Sequence, residues 1–250
     1  MMTRRKFLAL GALALPATAW ADAAAFEPTN LRVTRLNLGA TVRFAHFTDF
    51  HYKGDVAYAH KLVRTINALS PQFVVFTGDL VEDKRFAPAA LDFIRQIKTP
   101  VYGSPGNHDY WSHADFGEFD RAFEETGGAW LSDCSAVLPQ HDVELVGMAM
   151  LGVHAFEPPQ ATRRVLLMHY PEMADRLGDA RYDLILAGHS HGGQVRLPFY
   201  GPLVLPWGVG RYDLGYFETP AGPLYVNAGI GTYRYPIRFN CRPEVTLVTL

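Results

Sequence analysis

Five short polar clusters, each set where an apolar run ends, constrain the fold of this 250-residue chain more than any other feature. Phe44 to Thr48 leads into Asp49-x-His51, Phe73 to Thr77 into Gly78-Asp79, and Val101 to Gly103 towards Gly106-Asn107-His108-Asp109. Val165 to Met168 ends at His169, and Leu184 to Ala187 ends at Gly188-His189-Ser190-His191. Short apolar runs bounded by turn signals are the pattern of buried strands. Open α/β sheets bind ligands beyond the carboxyl ends of their strands, so these ends predict one shared pocket.

The intervening segments agree with that reading. Asp55 to Leu69 carries apolar residues at helical spacing and stops at Ser70-Pro71. Further helices are predicted over Ala87 to Ile97 and Phe116 to Glu125, the latter closed by Gly127-Gly128. The first half is thus a β-α-β-α-β progression, which calls for parallel strands joined by right-handed crossovers. Upstream, Leu31 to Leu38 and Val42 to Thr48 read as strands joined by a hairpin at Gly39-Ala40. From Trp130 the rhythm changes: Trp130 to Leu138 and Val143 to Val153 read as strands of a second, more antiparallel sheet. Pro223 to Ala228 and Val245 to Leu250 are expected to complete it.

The first residues are set apart from the fold. Thr3-Arg4-Arg5-Lys6-Phe7-Leu8 is basic, Leu8 to Leu15 is apolar, and Ala19-Trp20-Ala21 has the small-x-small form of a cleavage site. Residues 1–21 read as a twin-arginine signal peptide, with residues 22–250 as one domain exported to the periplasm or the outer face of the cytoplasmic membrane. The apolar stretch breaks at Pro16, short of the roughly 20 residues that a membrane span needs. The twin-arginine translocase is the expected partner during export, and it carries chains that are already folded. Removing residues 1–21 leaves 20 basic against 25 acidic residues, a formal charge of −5. With no clustered Lys and Arg outside the signal, nucleic acid is not an expected partner. Cys134 and Cys241 are expected as two separate buried thiols rather than a disulfide.

Carboxylate oxygen, amide oxygen and imidazole nitrogen together make a donor set for a pair of divalent ions. Alone, Asp-x-His is usually a surface turn and Gly-Asp little more than a turn. Jointly, at successive strand ends, they point to a two-metal site with Asp79 bridging, and Gly78 lets the backbone approach without a Cβ clash.

The order Asp-x-His, Gly-Asp, Gly-Asn-His-Asp, His, Gly-His-x-His, running from Asp49 to His191, resembles the calcineurin-like metallophosphoesterases. The resemblance implies a four-layer α-β-β-α sandwich of two mixed sheets with the metals at one end. It implies one ion on Asp49, His51, Asp79 and His191, and a second on Asp79, Asn107, His169 and His189. It further implies that His108 assists the leaving group and that Asp109 orients the His108 imidazole. The activity implied is metal-dependent hydrolysis of a phosphate ester, a diester or pyrophosphate rather than a monoester, by metal-bound hydroxide. Two divalent ions, two carboxylates and one hydroxide leave a charge of about +1, which suits a phosphodiester. Manganese, iron and zinc all fit such oxygen and nitrogen ligands.

His191-Gly192-Gly193-Gln194, Asn227 to Thr232 and Pro236 to Cys241 resemble the exported or membrane-associated bacterial branch. Relatives there act on phosphodiesters or on lipid-linked sugar nucleotides such as UDP-diacylglucosamine, which brings peripheral membrane contact into the expectation. That branch carries Arg where Ala228 stands, so no phosphate contact is expected of this position. A phosphomonoesterase or nucleotidase is the alternative among hydrolases. A non-catalytic metal-binding protein is the alternative of another class, and His108-Asp109, superfluous for storage, argues against it.

His46, His60, His113, His141 and His154 lack such context and are expected to be structural or exposed, His113 standing nearest the pocket. Leu197 to Phe217, with Phe199, Tyr200, Leu203, Leu205, Trp207 and Tyr212, reads either as an apolar wall for an acyl or nucleobase moiety or as a loop packed on the second sheet. Of Arg196, Arg211, Arg234 and Arg238, one or two are expected to reach the pocket.

Overall fold

The computed structural model describes residue 19 and residues 22–39, 41–150 and 157–250. Most of the signal segment, residue 40 of the expected hairpin, His154 and the end of the Val143 to Val153 strand lie outside the described residues.

Two six-stranded sheets pack face to face. The first contains β1 (Arg32–Asn37), β2 (Arg43–Phe47), β3 (Phe73–Phe76), β4 (Val101–Gly103), β5 (Ala129–Trp130) and β14 (Glu244–Thr249), in the order β1-β14-β2-β3-β4-β5. The second contains β6 (Cys134–Leu138), β7 (Val143–Gly147), β8 (Arg163–Leu167), β9 (Leu184–Ala187), β12 (Gly215–Thr219) and β13 (Gly222–Val226), in the order β12-β13-β9-β8-β7-β6. Between β9 and β12 lies a short hairpin of β10 (Arg196–Leu197) and β11 (Gly201–Pro202).

Strand alternation sends side chains to opposite faces. Ala45, Phe47, Val74 and Phe76 face the helices α1 (Val56–Leu69), α2 (Ala87–Arg95) and α4 (Phe116–Glu124), meeting Leu62, Ile66, Leu91, Phe119 and Phe123. On the other side Phe44, Phe73 and Val75 meet Val165, Leu167, Leu184 and Leu186 of the second sheet. Each such buried side chain contributes about 1.5–3 kcal/mol, and Phe73→Ala would cost about 3–5 kcal/mol. The outer face of the second sheet is covered by a 3₁₀ segment, Pro171–Arg176, together with Leu177 and Tyr212. Asp55 caps α1 by accepting from the Tyr58 amide, and Ser70 ends it in a left-handed conformation.

β2, β3 and β4 are parallel, as the β-α-β-α-β reading requires. Five expectations are corrected. The expected hairpin between β1 and β2 does not pair, because β14 lies between them, parallel to β1 and antiparallel to β2. Burial explains it: β14 is covered nearly throughout, as a central strand must be, whereas β1 alternates half-buried with exposed, as an edge strand does. β14 therefore completes the first sheet, not the second. The second sheet is parallel through its centre, β13-β9-β8-β7, and antiparallel only at its margins. The predicted strand Trp130 to Leu138 is cut at Asp133 (φ 61°), leaving Trp130 in one sheet and Cys134 in the other. Cys241 is a buried free thiol, but Cys134 is exposed, on the margin strand β6.

Candidate metal centre

The polar clusters leave their strands through backbone that few residues adopt. Asp49, His51, Asp79, His189 and His191 have φ of 54°, 44°, 62°, 66° and 50°. Left-handed non-glycine residues cost of order 1–3 kcal/mol each and persist only where the surroundings impose them. Here backbone bonds impose them: Asp49 N–H donates to Gly78 O (2.9 Å), His51 N–H to Asp79 O (3.0 Å) and Gly231 N–H to Asp49 O (2.7 Å). Gly78 is required where two turns meet, since a Cβ there would lie 2.3 Å from the Gly106 nitrogen.

The turns deliver Asp49, His51, Asp79, Asn107, His169, His189 and His191 into one buried cluster. His51 Nε2 lies 3.4 Å from Asp79 Oδ2 and 3.0 Å from His191 Nε2, while His191 Nε2 lies 3.4 Å from Asp49 Oδ1. His169 Nε2 lies 3.1 Å from Asp79 Oδ2 and 3.2 Å from His189 Nδ1. Asp79 is the residue between the two groupings. Within each of the sets Asp49-His51-His191 and Asp79-His169-His189 the donor atoms fall within 4.8 Å of one another, the spacing of atoms that share a cation. The buried Asn107 Oδ1 has no hydrogen-bond partner among the described residues. Leaving such an oxygen unpaired costs about 1–3 kcal/mol, a cost that a bound cation removes. The donor set therefore fits divalent metal ions.

Neighbours fix the ring orientations. His169 Nδ1 donates to Thr77 O (2.7 Å) and His189 Nε2 to Trp207 O (2.6 Å), which frees the opposite nitrogens for the centre. His51 Nδ1 lies 3.1 Å from Glu82 Oε1. Burial, then the neighbouring His169, holds His189 down to about 3, and burial with His51 holds His191 well below the imidazole range. Neutral imidazole is the form that ligates. Burial opposes ionisation of Asp79, but His169 and His51 hold its carboxyl well below the carboxylate range. Burial pushes Asp49 up to about 6 against the pull of His169.

His108 is the second residue of the short helix α3 (Asn107–Trp111) and is half-buried beside the cluster, its backbone N–H donating to Asp79 Oδ1 (2.7 Å). Its ring meets His51 edge-on at 4.8 Å and packs near Trp111 and Tyr233. Burial lowers its pKa. The role expected of Asp109 is corrected. Both its oxygens accept from backbone amides, of Asp79, Leu80 and Gly106, each at 2.8 Å, and no ion pair joins it to His108. A carboxylate at the third position of a helical turn faces the amides behind it rather than its neighbour's ring. Asp109 thus clamps the Gly78-Asp79 turn to the Gly106 turn.

A cavity of about 830 Å³ opens over the cluster, with Asp79, Asn107, His108, His189 and His191 at its floor. Leu197, Leu203, Val204, Pro206 and Trp207 line it, so part of the Leu197 to Phe217 stretch is an apolar wall. Tyr212 instead packs on the second sheet. Arg234 lines the cavity. Arg196 pairs with Asp213, Arg211 with Asp175, and the buried Arg238 donates to the carbonyls of Ala228, Gly229, Gly231 and Cys241. His60 and His113 are exposed, His141 packs on Phe73, and buried His46 bonds Thr77 Oγ1. Sequence reasoning missed Glu82, Tyr233 and the Trp207 carbonyl. Only Glu82 carried a signal, an acid three residues after Asp79.

The family model for calcineurin-like phosphoesterases matches residues 42–193. Bacillus subtilis YkuE, described as a metallophosphoesterase, is 30% identical over 230 residues, covering 82% of this chain and 76% of its own length. The phosphodiesterase YaeI of Escherichia coli is 28% identical and covers all of both chains. The UDP-2,3-diacylglucosamine pyrophosphatase LpxG of Chlamydia trachomatis is 28% identical and covers 94% of each.

Proposed function

The chain belongs to the calcineurin-like phosphoesterases and is a hydrolase of phosphoric esters, and from that membership we propose that its bond is a phosphodiester or pyrophosphate. The observation that carries the reading is Asp79, reached on one side by His51 and on the other by His169, with Asp49, Asn107, His189 and His191 closing the cluster. Asp49, His51, Asp79 and His191 would hold one divalent ion, and Asp79, Asn107, His169 and His189 the other. Such ions, drawn from manganese, iron or zinc, supply charge neutralisation at the phosphoryl oxygens and activation of water.

The protein's own groups do the rest. His108 stands over the cluster at the cavity floor, where its imidazole stabilises or protonates the departing oxygen. Asp109 keeps the Asp79 and Gly106 turns together, so the ligand and the proton donor share one frame. A diester is favoured over a monoester because Arg234 is the only Lys or Arg among the described cavity-lining residues, which is poor provision for a dianion. The relatives' names add a phosphodiesterase and a pyrophosphatase of UDP-2,3-diacylglucosamine, and a lipid-linked sugar nucleotide is a substrate of that second kind. The composition of residues 1–21 supports twin-arginine export to the periplasm or the outer face of the cytoplasmic membrane, with peripheral membrane contact.

The test is hydrolysis of bis-p-nitrophenyl phosphate and of p-nitrophenyl phosphate and nucleotides with added manganese. The diester is expected to be the better substrate, Asp79→Asn to abolish turnover, and His108→Ala to lower it about 10²–10⁴-fold with metal content retained. Turnover that survives both substitutions overturns the reading, and a preference for monoesters makes it a phosphomonoesterase. Tightly held metal by elemental analysis with no turnover of any ester leaves a metal-binding protein.

A further inference from the structure

The cavity over the metal cluster is divided. Its floor is polar, but Val195, Leu197, Leu203, Val204, Pro206 and Ile237 line the cavity with aliphatic side chains, beside aromatic rings such as Trp207 and Tyr233. At the mouth Trp207 is 77% exposed and Val204 63% exposed, and both line the cavity. Contiguous apolar surface left open to water marks a place for an apolar partner.

Two kinds of substrate group are compatible with that volume, a planar base and a hydrocarbon, and the polar side chains on the wall separate them. Recognition of a base needs free donors and acceptors at its edges. Gln194 has no donor to offer and only part of its acceptor: its amide nitrogen donates to the carbonyls of Tyr235 and Ile237, and its oxygen already accepts from the Tyr233 amide. Ser190 Oγ accepts from Gly192 N–H, and Asp79 Oδ1 from His108 N–H. The wall side chains themselves, Val195, Leu197, Leu203, Val204, Pro206 and Ile237, carry no donor or acceptor, and a group laid along them meets carbon.

We infer that the Leu197 to Trp207 wall is a subsite for a hydrocarbon chain of the substrate, attached close to the phosphorus held at the metal cluster. The subsite rests on the phosphoester reading and gives it an orientation: phosphorus on the floor, hydrocarbon along Leu203, Val204 and Ile237, the more polar remainder towards Arg234. Continuity between wall and floor is what commits the occupant to the substrate itself, since His189 and Trp207 border the same space and are hydrogen-bonded to each other.

The experiment uses p-nitrophenyl alkyl phosphodiesters with alkyl groups from methyl to dodecyl, below their micelle concentrations, on the manganese-loaded protein. Burial of each methylene is expected to raise kcat/KM about threefold to fourfold until the cavity is filled. Val204→Asp and Ile237→Ser are expected to reduce the dodecyl-to-methyl ratio at least tenfold, and the ratio within each variant cancels any loss of folded protein. A ratio near one in the unaltered protein, or one unaffected by both substitutions, overturns the subsite. Calorimetric binding of decylphosphonate against methylphosphonate gives an answer independent of turnover. Tighter binding of the decyl compound without hydrolysis of any ester supports the subsite while removing the hydrolase reading. Equal binding of both overturns the subsite while leaving hydrolysis standing.

Discussion

His189 donates from Nε2 to the carbonyl oxygen of Trp207 at 2.6 Å, so a histidine of the candidate metal centre and the apolar wall share one hydrogen bond. The bond fixes the tautomer of His189 and turns Nδ1 towards His169. Gly208, next in the chain, has φ +92°, and a Cβ there would lie 2.4 Å from the Tyr170 ring. Gly208→Ala is therefore expected to push the Trp207 carbonyl off His189. Activity on bis-p-nitrophenyl phosphate should fall about 10- to 100-fold together with metal content, and excess manganese should restore part of it. Full metal content with unchanged activity would show that the bond is incidental.

Asp109 is a clamp, and its removal should be felt in stability first. Asp109→Asn keeps the shape but replaces one acceptor oxygen with a donor facing amides. A loss of about 3 kcal/mol is expected, roughly 10 °C in Tm at this chain length. A side chain that only orients His108 would leave Tm in place and change the pH profile of turnover alone, so circular dichroism melting separates the two roles.

Arg238 is a fully buried cation with no carboxylate partner among the described residues, held by carbonyls of the loop behind Asp49. Gly231, one of the residues it holds, donates to the Asp49 carbonyl. Arg238→Met removes the donors while keeping the bulk, and leaves several buried carbonyls unpaired. Destabilisation of about 3–5 kcal/mol in urea melts is expected, with activity per folded molecule lowered as well. Arg238→Lys, offering fewer and shorter-reaching donors, should recover only part of it.

His46 lies fully buried under the first sheet, and burial holds its imidazole down to about 3. Its native pKa is thus below the unfolded value near 6.5, so the unfolded chain binds the extra proton between them. Its contribution is complete above pH 6.5 and declines as pH falls towards 3, by up to tenfold in the folding constant per pH unit. His46→Gln, which retains a partner for Thr77, is expected to flatten that limb in urea melts compared across pH 4 to 7. An acid limb as steep as that of the unaltered protein would place the proton uptake elsewhere.

The order of ligand residues, their attachment to strand ends and the helices between them were readable in the sequence, because strand and helix periodicity and turn chemistry are local. So was a candidate donor set, since oxygen and nitrogen donors at successive strand ends serve few purposes other than metal. The positions decided by tertiary structure join residues far apart in the chain. β14 enters between β1 and β2, Asp49 accepts from the His189 amide 140 residues away, and Glu27 accepts from the Cys241 amide 214 residues away. Local pattern carries no term for such register. Asp109 turned to backbone amides, Glu82 reached His51, and Leu203 and Val204 faced the cavity for the same reason: each side chain's surroundings were set by which loops the fold brings together. The residue types that meet at the centre are a property of the sequence, and their distances and free valences are a property of the fold.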